Sequence, residues 1–123
     1  MKEITAIVRM NMVGLTAEAL KEIGFASFTC RKVLGRGKKK VDFTPTKWTP
    51  GTNDYTQQEI SNQHRLISNR MFTIVVNDED VDEVVETIIK VNQTKNPGDG
   101  KIFVRNIDEV IRVRTGEKDA LAL

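Results

Sequence analysis

Cysteine is nearly absent from this chain. Cys30 is the single one among 123 residues, so no intramolecular disulfide can form and a reducing compartment is the expected home. Histidine is as scarce: His64 stands alone, which leaves no basis for a histidine metal cluster or a phosphohistidine relay. No run of apolar residues is long enough to span a bilayer, and Met1-Lys2-Glu3-Ile4 does not begin a signal-peptide core, so a soluble cytoplasmic protein without membrane insertion is expected. An excess of one charge is also missing. Nineteen basic residues face seventeen acidic ones, a net charge of +2, which argues against a general nucleic-acid binder. The G-x-x-x-x-G-K-[ST] spacing of a Walker phosphate loop does not occur.

What is present describes one ordinary globular domain, with 39% hydrophobic and 29% charged residues. Ile4 to Val8 reads as a buried strand. Leu15, Ala19, Leu20 and Ile23 recur at helical spacing, and Gly24 follows as a helix terminator. Phe28 to Leu34 alternates as a second strand. There Cys30 is expected as a small buried hydrophobe, and Met10 and Met12 as packing residues before the first helix. From Gly35 to about Ser68 the apolar pattern stops. A loop of that length is usually functional, and this one carries Phe43, Trp48 and Tyr55. His64 is expected as a solvated residue of the same loop.

Strand character returns over Met71 to Val76. Asp78 and Asp80 are placed to cap a helix whose stripe is Val81, Val84, Val85, Ile88 and Ile89. Ile102 to Val104 is a fourth strand, and a short extended piece, Val110 to Arg114, precedes a mobile tail. Strand–helix–strand, loop, strand–helix–strand gives an α+β, ferredoxin-like βαββαβ fold: a four-stranded antiparallel sheet with both helices on one face. The other face needs a cover, and self-association is the simplest.

The stretch richest in chemistry is Thr94 to Val104. Pro97-Gly98 and Asp99-Gly100 are turn dipeptides, and Lys101 follows directly before the strand. Glycines there let backbone amides approach an anion closely. Arg112 and Arg114 alternate with Ile111 and Val113, so an extended segment would project both guanidinium groups to one side. Together these read as a polyphosphate cradle of a non-Walker kind.

Gly98-Asp99-Gly100-Lys101-Ile102-Phe103-Val104 followed by Arg112-Val113-Arg114-Thr115-Gly116-Glu117, with Gly24, Thr29, Gly35, Gly37 and Asp78, resembles the PII signal-transduction proteins, the nitrogen-status sensors. The resemblance implies a PII-like domain over 1–116, a T-loop at about 36–68 and a tail at 117–123. It further implies a homotrimer with ATP or ADP between subunits. Gly98, Asp99, Gly100 and Lys101 would cradle the phosphates, Arg112 and Arg114 would reach in from the neighbour, and Gly35, Gly37 and Lys38 would close the loop base. Ile7, Thr29 and Val75 would surround the adenine. In this family 2-oxoglutarate binds beside ATP through a shared magnesium ion and reshapes the T-loop, which docks on target proteins.

Two departures stand out. The loop base reads Gly37-Lys38-Lys39-Lys40-Val41, so Lys39 replaces the family's magnesium-ligating glutamine, and a protonated lysine is no oxygen ligand. The lysine that pairs with the effector's distal carboxylate aligns with Asn69, beside Arg70. A divergent loop on an intact nucleotide site resembles the archaeal nitrogenase-associated subgroup, which suggests nitrogenase as target and leaves room for a mixed assembly with a paralogue. Glutamine synthetase or an ammonium transporter is the alternative target. Outside this family, Ile102 to Ile107 superficially resembles an RNA-binding aromatic motif, but it lies on the last strand instead of the first and lacks its longer companion. A small phosphohydrolase would have only His64 or Cys30 as nucleophile. A regulatory binding protein is the expected class, slow ATP turnover being its only conceivable catalysis.

Overall fold

The computed structural model describes residues 1–37 and 66–123. Four strands and two helices follow in the expected order. They are β1 (Lys2–Arg9), α1 (Val13–Glu22), β2 (Thr29–Gly35), β3 (Ile67–Val76), α2 (Val81–Asn92) and β4 (Lys101–Asn106). The sheet order is β2-β3-β1-β4, and every neighbouring pair is antiparallel. This is the ferredoxin-like arrangement, and alternation of side chains fixes its two faces. Ile4, Ala6 and Val8 of β1 and Phe72, Ile74 and Val76 of β3 are buried, meeting Leu20 of α1 and Val84 and Ile88 of α2. A one-residue slip of either central strand would turn this set outward, so burial specifies the register.

The helices end where their sequences say they should. Gly24 adopts φ +96°, and the amides of Gly24 and Phe25 donate to the carbonyls of Lys21 (3.0 Å) and Leu20 (2.8 Å). That pair of bonds is a Schellman cap, with Phe25 folding back onto the core. Before α2, Asp78, Glu79 and Asp80 form a 3-10 turn, and Asp82 and Glu83 follow in the first helical turn. Their charge suits the helix dipole. Neither Asp78 nor Asp80 makes a side-chain capping bond; the Asp78 carboxylate instead accepts the Met1 amino group at 2.8 Å.

Several expectations are corrected. The buried line of α1 runs through Thr16 and Leu20, while Leu15 is 60% exposed. Thr16 is inside because its hydroxyl donates to the Met12 carbonyl (2.7 Å) and accepts from Asn92 Nδ2 (3.0 Å), a polar link joining the two helices. Gly35 and Ser68, read as loop, belong to β2 and β3, where Gly35 pairs with Ile67. Cys30 is exposed, because it sits on an edge strand that the helices do not cover. Met10 is exposed as well.

The C-terminal region also differs. Val110 to Arg114 is no strand: a single bridge joins Ile111 to Lys118 across a turn at 113–115. Residues 119–122 form a 3-10 turn that packs back on residues 110–112 through hydrogen bonds, in place of a mobile tail. The alternation of apolar and basic residues that suggested a strand has, among the described residues, no partner strand to register against.

Replacing Thr16 by Val should lower stability by about 1–3 kcal/mol, since it orphans an Asn92 donor in the helix interface. Urea unfolding at fixed protein concentration measures it, and a loss below that of a surface control would refute the helix-linking role.

Candidate functional site

Of the proposed site residues, Gly98, Asp99, Gly100 and Lys101 come together as one structure. Asn96 to Asp99 is a turn closed by the Asp99 amide on the Asn96 carbonyl (3.4 Å), with Pro97 and then Gly98 at φ +98° in the middle. That is the type II arrangement, in which only the third residue needs a positive φ. Gly100 has φ +118°, and a Cβ there would lie 1.9 Å from the Ile7 carbonyl oxygen. Only glycine permits this contact between the turn and β1.

Asp99 organises the turn from within. Its carboxylate accepts hydrogen bonds from the Thr94 hydroxyl, the Thr94 amide (2.7 Å), the Lys95 amide (2.8 Å) and Arg9 Nη1 (2.8 Å). The Thr94 hydroxyl foremost, with the two amides and Arg9, holds its pKa well below the usual carboxylate range against a smaller opposing effect of desolvation. The carboxylate is thus spent on the loop itself. Among the described residues, no protein acceptor pairs with the amides of Gly98 and Gly100, and both glycines are exposed. Lys101 begins β4 opposite Ile7 with its side chain exposed, so an anion at this turn meets backbone donors and one ammonium group.

Sequence reasoning missed Arg9. Besides the Asp99 ion pair, its Nη2 donates to the Pro97 carbonyl at 3.3 Å, so one guanidinium straps the turn to the end of β1. Nothing local marks it, because Arg9 and Asp99 are 90 positions apart. A cleft of about 320 Å³ lies beneath the turn, between the end of α2 and the start of β4, lined by Ile88, Ile89, Asn92, Gly100 and Ile102 among others.

The remaining site residues spread over the open sheet face. Register places Arg31, Met71, Ile7 and Lys101 in one row across the four strands, and Thr29, Thr73, Thr5 and Phe103 in the next. All of these but Lys101 floor a broad concavity of about 840 Å³, flanked by the 2.6 Å Glu3–Arg105 ion pair. Thr29 and Val75 are diagonal neighbours, about 7–8 Å apart. Ile7 lies four positions along the register from Val75, about 14 Å away. One adenine ring therefore cannot touch Ile7, Thr29 and Val75 of the same chain.

Gly35 ends β2 and Gly37 follows two residues on, whereas Lys38, Lys39, Phe43, Trp48, Tyr55 and His64 lie outside the described residues. Asn69 and Arg70 are consecutive in β3 and so point to opposite faces, Asn69 to the open side. Arg112 bonds to Glu117 and the Leu121 carbonyl, and Arg114 is exposed in the turn at 113–115. Among the described residues, neither arginine is bonded to the 98–101 turn of its own chain. No three metal-ligating side chains cluster among the described residues, and no helix among them is long and apolar enough to cross a membrane.

The described residues thus form a ferredoxin-like sheet whose helices cover one face, with a glycine turn at its rim. The family profile described as nitrogen regulatory protein P-II matches residues 1–117. The nifHD1 region GlnB-like protein 2 of Methanosarcina barkeri is 49% identical, covering 100% of this chain and 99% of its own length. The nifHD region GlnB-like protein 2 of Methanobacterium ivanovii is 45% identical over 95% of this chain and 94% of its own. The nitrogen regulatory protein P-II of Klebsiella oxytoca is 36% identical over the full length of both. The chain belongs to the nitrogen regulatory protein P-II family, and it matches the archaeal nitrogenase-associated subgroup.

Gly100→Ala should cost at least about 3 kcal/mol, because backbone must shift as well as strain. Gly98→Ala should cost less, since the atom it meets at 3.2 Å is the movable Arg9 guanidinium. Comparable losses in thermal unfolding would contradict the close-approach argument. Because the Asp99 pKa is depressed on folding, its stabilisation is complete above the ordinary carboxylate pKa of about 4 and fades as pH falls through the folded value. The stability gap between wild type and Asp99→Asn should accordingly be widest near neutrality and narrow below about pH 4. A gap independent of pH in denaturant titrations would remove Asp99 from its central place.

Proposed function

We propose that this nitrogen regulator reads adenine nucleotide and 2-oxoglutarate and reports through its T-loop to a target, with nitrogenase as the favoured one. The single observation that carries the nucleotide reading is the 98–101 turn, whose glycine amides have no acceptor among the described residues while its carboxylate bonds within the loop. ATP or ADP phosphates fit that chemistry, with Lys101 as counter-charge.

The site lies between two copies of the chain in a homotrimer. One copy supplies Ile7 and the turn, because Ile7 and Lys101 share a register row. The neighbour supplies Thr29 and Val75 against the adenine and Arg112 and Arg114 against the phosphates. The separation of about 14 Å between Ile7 and Val75 supports two contributing chains. Packing three open faces together covers Met71, Val75 and Phe103, apolar side chains that a monomer would leave toward water.

Gly35, Gly37 and Lys38 close the loop base over the phosphates. Magnesium would accompany ATP on phosphate oxygens, and since Lys39 is no ligand while protonated, another loop residue would supply the remaining oxygen or the effector carboxylates would meet Lys39 directly. Asn69 faces the open side, where it can donate to a carboxylate of 2-oxoglutarate, with Lys39 as the cation; Arg70, on the opposite face, would meet the effector only from the loop side. Phe43, Trp48 and Tyr55 are the partner-contacting residues. Names of the methanogen relatives tie them to the nifHD region, which supports nitrogenase over glutamine synthetase or an ammonium transporter. The numeral 2 in those names is the ground for keeping a mixed assembly with a paralogue. The setting is the cytoplasm.

Isothermal calorimetry with ATP, followed by 2-oxoglutarate, tests this directly. Lys101→Ala should weaken ATP binding about 10–100-fold, the loss of one charge-assisted contact. No heat with ATP would end the nucleotide reading; an acid without effect on the ATP-loaded protein would end the effector reading alone.

A further inference from the structure

The C-terminal segment holds one of the two arginines assigned to the nucleotide. Arg112 Nη1 donates to Glu117 Oε1 at 3.3 Å, and its Nη2 donates to the Leu121 carbonyl at 2.9 Å. Both terminal nitrogens are therefore engaged once, and a carboxylate stands beside them where a second anion would be repelled. The segment is folded for this. Arg112 and Glu117 are joined by the Arg112 amide on the Glu117 carbonyl (2.8 Å), and the Gly116 amide closes the turn on the Arg112 carbonyl (2.7 Å). The Asp119 amide reaches the Val110 carbonyl at 2.7 Å, and Asp119 Oδ1 accepts from the Val110 amide at 3.3 Å.

What holds the segment is polar and shallow. Leu121 is 70% exposed, so no core burial anchors the 119–122 turn. Asp119 sits at φ +55°, a left-handed conformation that costs a non-glycine residue energy, though Asp tolerates it better than most. A strap made of a few half-exposed bonds and one strained residue opens at low free energy, while the sheet stays closed.

We propose that residues 117–122 are an internal competitor for Arg112, shut when the phosphate site is empty and displaced when nucleotide takes the guanidinium. The proposal rests on the nucleotide reading above and adds regulation of that site. Its consequence is linkage: the apparent affinity for nucleotide is the intrinsic one scaled by the fraction of chains with the strap open. Anything that holds 117–122 elsewhere, such as a bound target, tightens nucleotide binding. Conversely, the nucleotide frees a segment carrying Glu117, Lys118 and Asp119.

The test compares ATP titrations of the wild type, Asp119→Ala, and a chain lacking residues 119–123, with amide exchange at Gly116 and Asp119 followed with and without ATP. Asp119→Ala breaks the strap without touching Arg112, and faster exchange in the unliganded variant verifies that it has opened; the deletion decides if it has not. Both opened forms should bind ATP about three- to tenfold tighter than wild type, and ATP should speed exchange at both amides in the wild type. Equal or weaker binding by the opened forms overturns the competitor and makes the segment a positioning device for Arg112. Slowed or unchanged exchange on adding ATP overturns it too. If no form binds ATP, the nucleotide reading and the strap fall together, whereas wild-type binding unaltered in the variants removes the strap alone.

Discussion

A contact without side chains governs the layout of this molecule: the backbone of Gly100 lies against the carbonyl of Ile7. That approach seats the 94–100 loop on the rim of β1, and Asp99 then fixes the loop's shape by collecting donors from Thr94, Lys95 and Arg9. With the carboxylate consumed inside, the amides of the two glycines have no protein acceptor among the described residues, and Lys101 enters β4 directly after them. Loop geometry and strand register are thereby one arrangement. Asp99 does not stand at this turn as a bare anion, because the Arg9 guanidinium and the Thr94 and Lys95 donors offset its charge.

The sheet divides the protein into a closed half and an open half. Helices α1 and α2 cover β1 and β3, joined to each other by the buried Thr16–Asn92 hydrogen bond. Opposite them, threonines, a methionine, a phenylalanine and three charged side chains present a concavity that is neither core nor ordinary surface. The folded C-terminal segment engages the Arg112 guanidinium from within the chain, through Glu117 and the Leu121 carbonyl.

The parts of this fold readable in the sequence were those governed by neighbours along the chain. Alternation in Ile4–Val8 and Met71–Val76, the helical stripe around Val84 and Ile88, Gly24 as a terminator and the Pro97–Gly98 turn all follow from local sterics and periodicity, and the structure has them. The order of those elements was enough for the ferredoxin-like topology, since right-handed crossovers leave few alternatives. Family kinship was equally legible, because the glycine turn and the arginine segment are specific in their spacing.

Other features needed partners from far along the chain. Thr16 became core because Asn92 arrives to bond it, and Leu15 was left outside; Cys30 is exposed because its strand ends at an uncovered edge. Val110 to Arg114 alternates like a strand yet leads into a turn, since among the described residues no neighbour strand takes its hydrogen bonds and its own tail does. Asn69 and Arg70 look interchangeable in sequence and face opposite ways in space. The sequence by itself therefore settled which elements form and in what order, because torsional preference and apolar period act over a few residues. Which charges are free and which are spent was decided only by the tertiary structure, because pairing depends on distances between residues that the chain keeps tens of positions apart.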